Sequence, residues 1–270
     1  MKREGSPDIL GLVLAVLMGL AIIGPLLVVM LWSVAEVWRF PNLVPQEFGL
    51  RFWKSTMARA DVWTALETSL ALSAVVTFLS ALICIPAAYA FARLDFPGRG
   101  ILLISFLSVQ AFPKFALYIS IATIFLSLGL VGTFWGVVLI QLVNTLMVMI
   151  WIPVSAFQGV DRRMEEAARD VGASPLRVFW SITLPQTLPT VSAAILLTFV
   201  WTFYETEGAW LIGAPHVRTT PVLMISFINN QLTVQPGAVL SVLLWVPSFI
   251  VLLFSRRLLG PQALGRGLGG

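Results

Sequence analysis

Long runs of apolar residues dominate this chain, and shorter stretches rich in charged residues, proline and glycine separate them. A helix needs about 20 apolar residues to cross the hydrocarbon core of a bilayer. Six runs approach or exceed that length, and they lack the ten-residue alternation of membrane β-barrels. The runs lie at residues 9–34, 65–91, 100–127, 133–154, 188–207 and 238–258. This pattern predicts an all-α membrane protein, a single domain of residues 1–270 with six transmembrane helices.

Two parts of this pattern are irregular. The third predicted helix contains Pro113 and Lys114, so we expect it to kink and to pack inside the helix bundle. The stretch 208–237, between the last two predicted helices, contains three prolines together with polar residues. It is too polar to span a membrane, and we expect a structured loop with a short helix near 221–231.

Composition supports the membrane assignment. Hydrophobic residues make up 58% of the chain and charged residues only 11%, with a mean hydropathy of +0.92. Soluble domains carry about 25% charged residues, so this composition excludes a water-exposed surface over most of the protein. The single cysteine, Cys84, excludes an internal disulfide and lies in an apolar run, where a buried, inert thiol is expected.

Basic residues indicate the orientation in the membrane. The net charge is +4, and the basic residues are scattered among the loops, which argues against a nucleic-acid surface. With the amino terminus inside, eleven basic residues fall on cytoplasmic segments and five fall outside. Lys2 and Arg3 are among the eleven. The positive-inside rule therefore predicts that both termini and the segment 162–185 are cytoplasmic. No cleavable signal peptide is expected.

One polar segment stands out between the fourth and fifth predicted helices. The stretch "RRMEEAARDVGASP" is typical of a short exposed helix that ends at Gly172, with Ser174 capping a second helix that begins at Pro175. In that second helix Leu176, Phe179 and Trp180 share one apolar face. Two interpretations remain open: a rigid plug for a groove on a soluble partner, or an amphipathic loop that only links two spans.

The same segment resembles the EAA motif of permease subunits in binding-protein-dependent ABC importers. The spacing EAA-x3-G-x9-I-x-LP is complete, with seven fixed positions: Glu166, Ala167, Ala168, Gly172, Ile182, Leu184 and Pro185. Two further stretches, "AYAFARLDFPGRG" (88–100) and "LGLVGTFWG" (128–136), are similar to the carbohydrate-type, MalG-like branch of that family. The resemblance covers essentially residues 10–260.

The resemblance implies a bacterial inner-membrane permease whose EAA loop, residues 162–185, docks as a coupling element into a cytoplasmic ATPase. Its expected coupling residues are the EAA triplet with Asp170, Gly172, Leu184 and Pro185. The expected partners are a second homologous permease, two ATPase subunits, a periplasmic or lipid-anchored substrate-binding protein and membrane lipid, with no nucleic acid.

The residues themselves agree that energy must come from a partner. A phosphate-binding P-loop needs G-x4-G-K-[ST], and glycine precedes none of the three lysines, Lys2, Lys54 and Lys114. One histidine and one cysteine cannot supply the usual catalytic metal sites. We therefore expect no enzyme and no cofactor in this chain, with ATP and Mg²⁺ bound by the partner ATPase.

Polar residues at membrane depth are candidates for the substrate pathway, because such groups usually face the bundle interior. Gln110 lies ~15 Å into the third predicted helix at 1.5 Å per residue. Gln141, Asn144 and Thr145 lie ~12–18 Å into the fourth and share one face. Their amides suit a polyhydroxylated ligand. Hydrogen bonding between helices is the alternative role.

Four ionisable residues are expected near the outer side of the membrane. Three of them have two possible roles, and the fourth has one. Glu205 and Glu207 follow several aromatic residues, which favours acids that snorkel to the interface, with a cation-attracting vestibule as the alternative. Glu205 is also a candidate pathway residue. Lys114 either pairs with one of these acids or recognises an anion. His216 is expected to be an ordinary loop residue.

The sequence favours import of a sugar or related polyol-like solute. "ARDVGAS" departs from the "DGA" form common in sugar permeases and, like "TTPVLMISFI", looks more like permeases for polyamine, phosphonate or ferric ion. That class is the first alternative. A membrane scaffold with no transport role is the second.

Overall fold

The computed structural model describes residues 9–39, 41–230 and 233–267, and most of these residues are helical. The basic residues Lys2 and Arg3, on which part of the predicted orientation depends, lie outside the described residues. Contacts within the chain divide it into two compact units. The prediction of one domain over the whole chain is not tested by this division.

Twelve helices occur in the part of the chain that the structure describes. In chain order they are α1 (Ile9–Val34), α2 (Arg51–Met57), α3 (Ala60–Arg93), α4 (Arg99–Ala111), α5 (Lys114–Ser127), α6 (Phe134–Gln158), α7 (Arg162–Asp170), α8 (Pro175–Val178), α9 (Leu184–Phe203), α10 (Glu207–Gly213), α11 (Thr220–Asn230) and α12 (Gln235–Gly267). A π-helical turn, Phe179–Thr183, joins α8 to α9.

Four helical stretches among the described residues are long and apolar enough to cross a membrane. They are Leu10–Val34, Ala60–Arg93, Phe134–Gln158 and Pro175–Phe203. They match the first, second, fourth and fifth predicted spans. The third and sixth predictions fall on shorter apolar helical stretches, so the count of six spans remains a prediction.

The third predicted span is broken rather than kinked. Helix α4 ends at Ala111 and α5 begins at Lys114, because Phe112 takes an extended conformation (φ −84°, ψ 146°) before Pro113. A residue that precedes proline is pushed out of the helical region, and proline itself offers no N–H. The expectation that this segment packs inside the bundle is only partly met. Tyr118 is buried, but several apolar residues of α4 and α5, such as Ile101 at 77%, are exposed.

The first unit joins residues 1–63 to 223–246. Its strongest apolar stretch, in α1, has no buried residue. A helix that is apolar all round needs lipid or other helices around it, in agreement with a membrane span.

A small β-ribbon in the first unit corrects the purely α-helical prediction. Strands β1 (Ala35–Val37) and β2 (Glu47–Phe48) pair antiparallel, with Ala35 opposite Phe48. Next to them, Trp38 stacks on Trp32 with 4.4 Å between ring centroids. Strands of two or three residues are too short for their alternation to be recognised in a sequence.

The second unit joins residues 64–222 to 247–270 and is built around α6. Of the strongest apolar stretch of α6, 61% is buried inside the protein, more than in any other candidate span among the described residues. Helix α9 is its main packing partner. One apolar cluster, which includes Phe91, Met149 and Phe157, lies near the end of α6 that leads into residues 162–185. A second, which includes Tyr118 and Ile212, lies near the other end.

The loop 208–237 contains more helix than predicted. The short helix expected near 221–231 is confirmed as α11. Helix α10, at Glu207–Gly213, was not predicted, and it begins only a few residues after α9 ends at Phe203. The fifth predicted span therefore ends four residues early, so Glu205 and Glu207 lie beyond the helix that was expected to carry them.

Candidate functional site

The coupling segment, residues 162–185, folds as two short helices joined at a glycine, as the sequence predicts. Asp161 caps α7, and its carboxylate oxygen accepts the backbone N–H of Arg163 at 3.0 Å. Ser174 caps α8 and accepts the backbone N–H of Arg177 at 3.3 Å. Each cap satisfies a backbone donor that the first turn of a helix leaves unpaired.

Gly172 makes the turn between the two helices. Its φ is +89°, and its N–H donates to the carbonyl of Arg169 at 2.9 Å, while the next residue bonds back to Ala168 at 3.0 Å. A side chain at Gly172 would meet open space. The backbone conformation, rather than the available room, therefore requires glycine at this position.

The motif residues lie mostly on the surface. Glu166, Ala167, Asp170, Gly172 and Pro185 are exposed, whereas Ala168 and Leu184 are half-buried. Three apolar side chains beside them are exposed as well: Val171 by 86%, Leu176 by 72% and Trp180 by 63%. Exposed apolar side chains on a polar segment are more typical of a protein interface than of a solvated loop.

The predicted apolar face of the second helix divides in two. Leu176 and Trp180 face outward, but Phe179 packs inward against Tyr89, with 5.0 Å between ring centroids, and against Phe157 at 6.0 Å. Leu176 lies on α8, whereas the π-helical turn Phe179–Thr183 carries Phe179 and Trp180. This aromatic contact attaches the second helix to α3 and α6.

Sequence reasoning missed Glu165, the residue beside the motif. Only 3% of it is exposed, and its Oε1 lies 2.9 Å from Nη2 of Arg93 at the end of α3. The same oxygen accepts the hydroxyl of Thr183 at 2.6 Å. The charged segment contains two adjacent glutamates, and periodicity alone does not identify the one that turns inward toward an arginine 72 positions earlier.

Three of the polar residues predicted for the pathway lie on one face of α6 and are buried. Gln141, Asn144 and Thr145 are 1%, 6% and 4% exposed. The side-chain amide of Gln141 donates to Oε2 of Glu205 at 3.2 Å. The hydroxyl of Thr145 lies 2.5 Å from that of Ser80 on α3. Gln141 and Thr145 thus make bonds between structural elements. With Asn144 and Glu205 they form the membrane-depth cluster.

Glu205 does not snorkel, and that expectation was wrong. It is only 8% exposed. Its Oε1 accepts the backbone N–H of Gly208 at 2.7 Å and its Oε2 accepts that of Ala209 at 3.1 Å. The carboxylate therefore binds the first backbone N–H groups of α10, and burial is tolerated because three donors satisfy it. Glu207 remains exposed.

A cavity of about 380 Å³ opens beside this cluster. Asn144, Lys114 and Glu205 line it together with aromatic and apolar residues of α9 and the turn that follows. The ammonium of Lys114 lies 5.1 Å from the centroid of the Trp201 ring. Among the described residues, Lys114 makes no ion pair with Glu205 or Glu207, so the pairing expected from the sequence is not observed. The polar groups of these walls offer both hydrogen-bond donors and acceptors to a polar solute.

Two predicted positions lie away from that cavity. Gln110 is half-buried near the end of α4 and does not line it. His216 lies beside Gly132, whose φ is +78°. No group of three or more metal-binding side chains occurs among the described residues.

Comparison with known proteins identifies the family. The sequence of this chain matches, over residues 83–261, the protein family described as the binding-protein-dependent transport system inner membrane component. The chain belongs to this family. It is a permease of an ABC importer, as the EAA-like spacing indicated.

Related permeases of this family differ in their named solutes. The trehalose/maltose permease MalG of Thermococcus litoralis is 30% identical over 204 residues, covering 74% of this chain and 73% of that protein. The molybdate/tungstate permease WtpB of Pyrococcus furiosus is 27% identical, covering 82% and 88%. The spermidine/putrescine permease PotC of Shigella flexneri is 24% identical, covering 82% and 84%.

A solved structure has the same fold. It is the crystal structure of a bacterial ABC transporter involved in the import of the acidic polysaccharide alginate. One of its chains superimposes with a TM-score of 0.73 at 17% identity, covering 95% of this chain and 99% of that chain. Helical architecture is therefore shared over nearly the whole permease.

Proposed function

We propose that this permease forms half of the pathway of an ATP-driven importer for a sugar or related polyol-like solute. A second homologous permease supplies the other half, two cytoplasmic ATPase subunits hydrolyse ATP, and a substrate-binding protein delivers the solute from outside. The observation that carries the proposal is the coupling segment. This segment exposes Glu166 on α7, a turn at Gly172 whose φ of +89° favours glycine, and the apolar side chains of Val171, Leu176 and Trp180.

Chemical arguments support the ATPase as the occupant of that surface. A folded pair of helices with exposed Leu176 and Trp180 offers apolar anchors for a groove. Glu166 adds a carboxylate that can pair with a basic group and fix the register of docking. In this role the chain itself binds no ATP, Mg²⁺ or other cofactor, and it hydrolyses nothing.

Support for a sugar comes from the cavity beside the membrane-depth cluster and from relatives named for trehalose and maltose. Polyamine import is the second candidate, because Glu205 and Glu207 give that cavity two carboxylates and because PotC is related. Lys114 in the same wall offsets one of these carboxylates and so weakens the attraction for a polycation, since like charges repel.

Copurification of the permease with its ATPase and partner permease, followed by reconstitution, tests the role. We expect ATP hydrolysis to rise when binding protein loaded with solute is added, together with uptake into the vesicles. Hydrolysis that ignores the binding protein, with no solute entering, would favour the scaffold alternative. Mass spectrometry of the solute bound to the purified binding protein then separates a sugar from a polyamine or an oxyanion.

The proposed topology places the coupling segment in the cytoplasm and both termini with it, in the inner membrane of a bacterium. Single cysteines at Val171 and Leu43, which are 86% and 92% exposed, test this in a Cys84→Ser background. A membrane-impermeant thiol reagent should label Leu43→Cys from the periplasmic side and Val171→Cys only in inverted vesicles. The reverse pattern would overturn the orientation.

A further inference from the structure

The ion pair between Arg93 and Glu165, completed by Thr183, has no assigned role in coupling. We propose that these three side chains form a joint that transmits movement of the coupling helices to α3 and α9. The inference rests on the proposed coupling function and adds positioning residues to it: Glu166 contacts the ATPase, whereas Glu165 carries the displacement into the membrane helices.

The joint converges on one carboxylate oxygen. Oε1 of Glu165, on α7, lies 3.1 Å from Nε and 2.9 Å from Nη2 of Arg93, on α3. The Thr183 hydroxyl, at the junction of the π-helical turn with α9, donates to the same oxygen at 2.6 Å. A single oxygen of α7 therefore bonds both to the end of α3 and to the residue that directly precedes α9.

Further bonds connect α7 and the residues before it to the end of α3. Nη2 of Arg93 also donates to the carbonyl of Val160 at 3.0 Å, just before α7 begins. In the opposite direction, Nη2 of Arg162 donates to the carbonyl of Ala92 at 3.4 Å. Bonds that run both ways between the two elements resist rotation as well as separation. Helix α7 cannot shift far without moving α3 or breaking several bonds.

Burial makes the joint stiff. The side chains of Arg93 and Glu165 are 7% and 4% exposed, so water cannot replace the bonds that a displacement would break. The two charges of an ion pair in such surroundings attract each other strongly, and removal of one partner leaves an uncompensated buried charge. The ion pair Arg99–Asp95 differs, because the Asp95 side chain is 82% exposed and is screened by solvent.

The π-helical turn lies next to the joint. Its five residues, Phe179–Thr183, interrupt the regular helix between α8 and α9, and the turn ends at Thr183 itself. One additional residue in a helix rotates everything that precedes it relative to everything that follows, and such turns often occur at functional positions. Here the turn lets Phe179 face the aromatic cluster while Thr183 faces Glu165.

Paired substitutions separate docking from transmission. Glu165→Gln and Glu166→Gln make the same chemical change at adjacent positions, one buried and one exposed. In the reconstituted full complex, we expect Glu165→Gln to retain ATPase association and to lower solute transported per ATP hydrolysed by about tenfold. Glu166→Gln should lower association instead. Normal transport per ATP in an assembled Glu165→Gln complex would overturn the joint.

A milder variant decides the matter if Glu165→Gln does not assemble. Thr183→Val keeps shape and removes one hydroxyl, and we expect about a threefold lower transport per ATP. Thr183→Ser should restore the normal ratio. The matched control is Thr187→Val, because the Thr187 hydroxyl is also buried but bonds only to carbonyls of its own helix region. Equal ratios in Thr183→Val, Thr187→Val and wild type would overturn the proposal.

Failure of the joint is distinguishable from failure of the proposed function. A wild-type complex that neither binds the ATPase nor imports solute would remove the coupling function itself. A wild-type complex that imports normally, with variants that assemble and import equally well per ATP, would remove only the joint. A purely structural role would lower the yield of complex and leave the ratio unchanged, which also counts against transmission.

Discussion

The polar residues of the coupling segment and those of the membrane-depth cluster differ in their exposure to solvent. In the coupling segment Glu166 and Asp170 are exposed among exposed apolar side chains. In the membrane-depth cluster Gln141 and Glu205 are buried and bonded to each other. The first region exposes these side chains, whereas the second bonds most of its polar groups within the chain. Exposed apolar groups and satisfied polar groups therefore distinguish the proposed docking surface from the hydrogen-bonded membrane-depth cluster.

Substitution of Gly172, in the turn of the coupling segment, should have the largest effect. A residue with a β-carbon at φ +89° costs about 1–3 kcal/mol, and a β-branched one lies at the upper end. We expect Gly172→Val to weaken ATPase association by on the order of thirtyfold or more, measured by titration of the ATPase onto the reconstituted permease. Gly159→Ala is the control, because Gly159 has a helical φ of −71°. Equal association in Gly172→Val and wild type would contradict the docking role.

Charge on the exposed face should matter next. A hydrogen bond to a charged group is worth about 1.5–3 kcal/mol when both partners lose water on docking. Glu166→Ala should therefore weaken ATPase association by about tenfold or reduce hydrolysis stimulated by the binding protein. Solute binding to the binding protein should stay normal, since that event occurs on the other side of the membrane. Full stimulation at normal affinity would remove Glu166 from the coupling surface.

Substitution of two amide side chains of α6 tests the membrane-depth cluster. Asn144 lines the cavity, whereas Gln141 bonds to Glu205. We expect Asn144→Leu to lower the uptake rate about fivefold while the melting temperature stays unchanged, because a solute contact is lost. Gln141→Leu should instead lower the melting temperature, and uptake per folded complex should fall only if Gln141 also contacts the solute. Unchanged uptake in Asn144→Leu would assign that residue to helix packing.

The smallest effect is expected at the hydroxyl pair between α3 and α6. Ser80 and Thr145 are both buried, and their hydroxyl oxygens lie 2.5 Å apart. Ser80→Ala should cost about 1 kcal/mol of stability and leave transport intact. Thermal unfolding in detergent measures the first quantity and vesicle uptake the second. A large loss of transport at normal stability would show that this contact belongs to the pathway.

Local chemistry explains why the coupling segment was predicted so closely. Gly172, Ser174 and Pro175 each act on their own neighbours as caps or turn residues. Such signals need no distant partner. Pro113 is another local signal, but its consequence was underestimated: it ends one helix and begins another instead of bending a single one.

Long-range pairing explains what was missed. Glu205 was expected at the membrane interface because its neighbours are aromatic, but Gln141, 64 positions earlier, and the start of α10 provide the donors that allow burial. Glu165 likewise depends on Arg93, 72 positions earlier. Adjacent glutamates with the same intrinsic chemistry end in opposite environments, because only the packing of α7 against α3 decides which one faces inward.

By itself the sequence determined the long apolar helices, the capped helix–glycine–helix of residues 162–185 and the family, because hydrophobic periods, caps and a fixed motif spacing are written within short stretches of chain. Only the tertiary structure decided that Glu165 joins Arg93 and Thr183, that Glu205 closes onto α10, and that Asn144 lines a cavity. The contacts of Glu165 and the walls of the cavity bring together residues far apart in sequence, and burial of Glu205 needs Gln141, 64 positions earlier, as well as the nearby start of α10. Burial of a polar group is favourable only when its partner arrives in the same place.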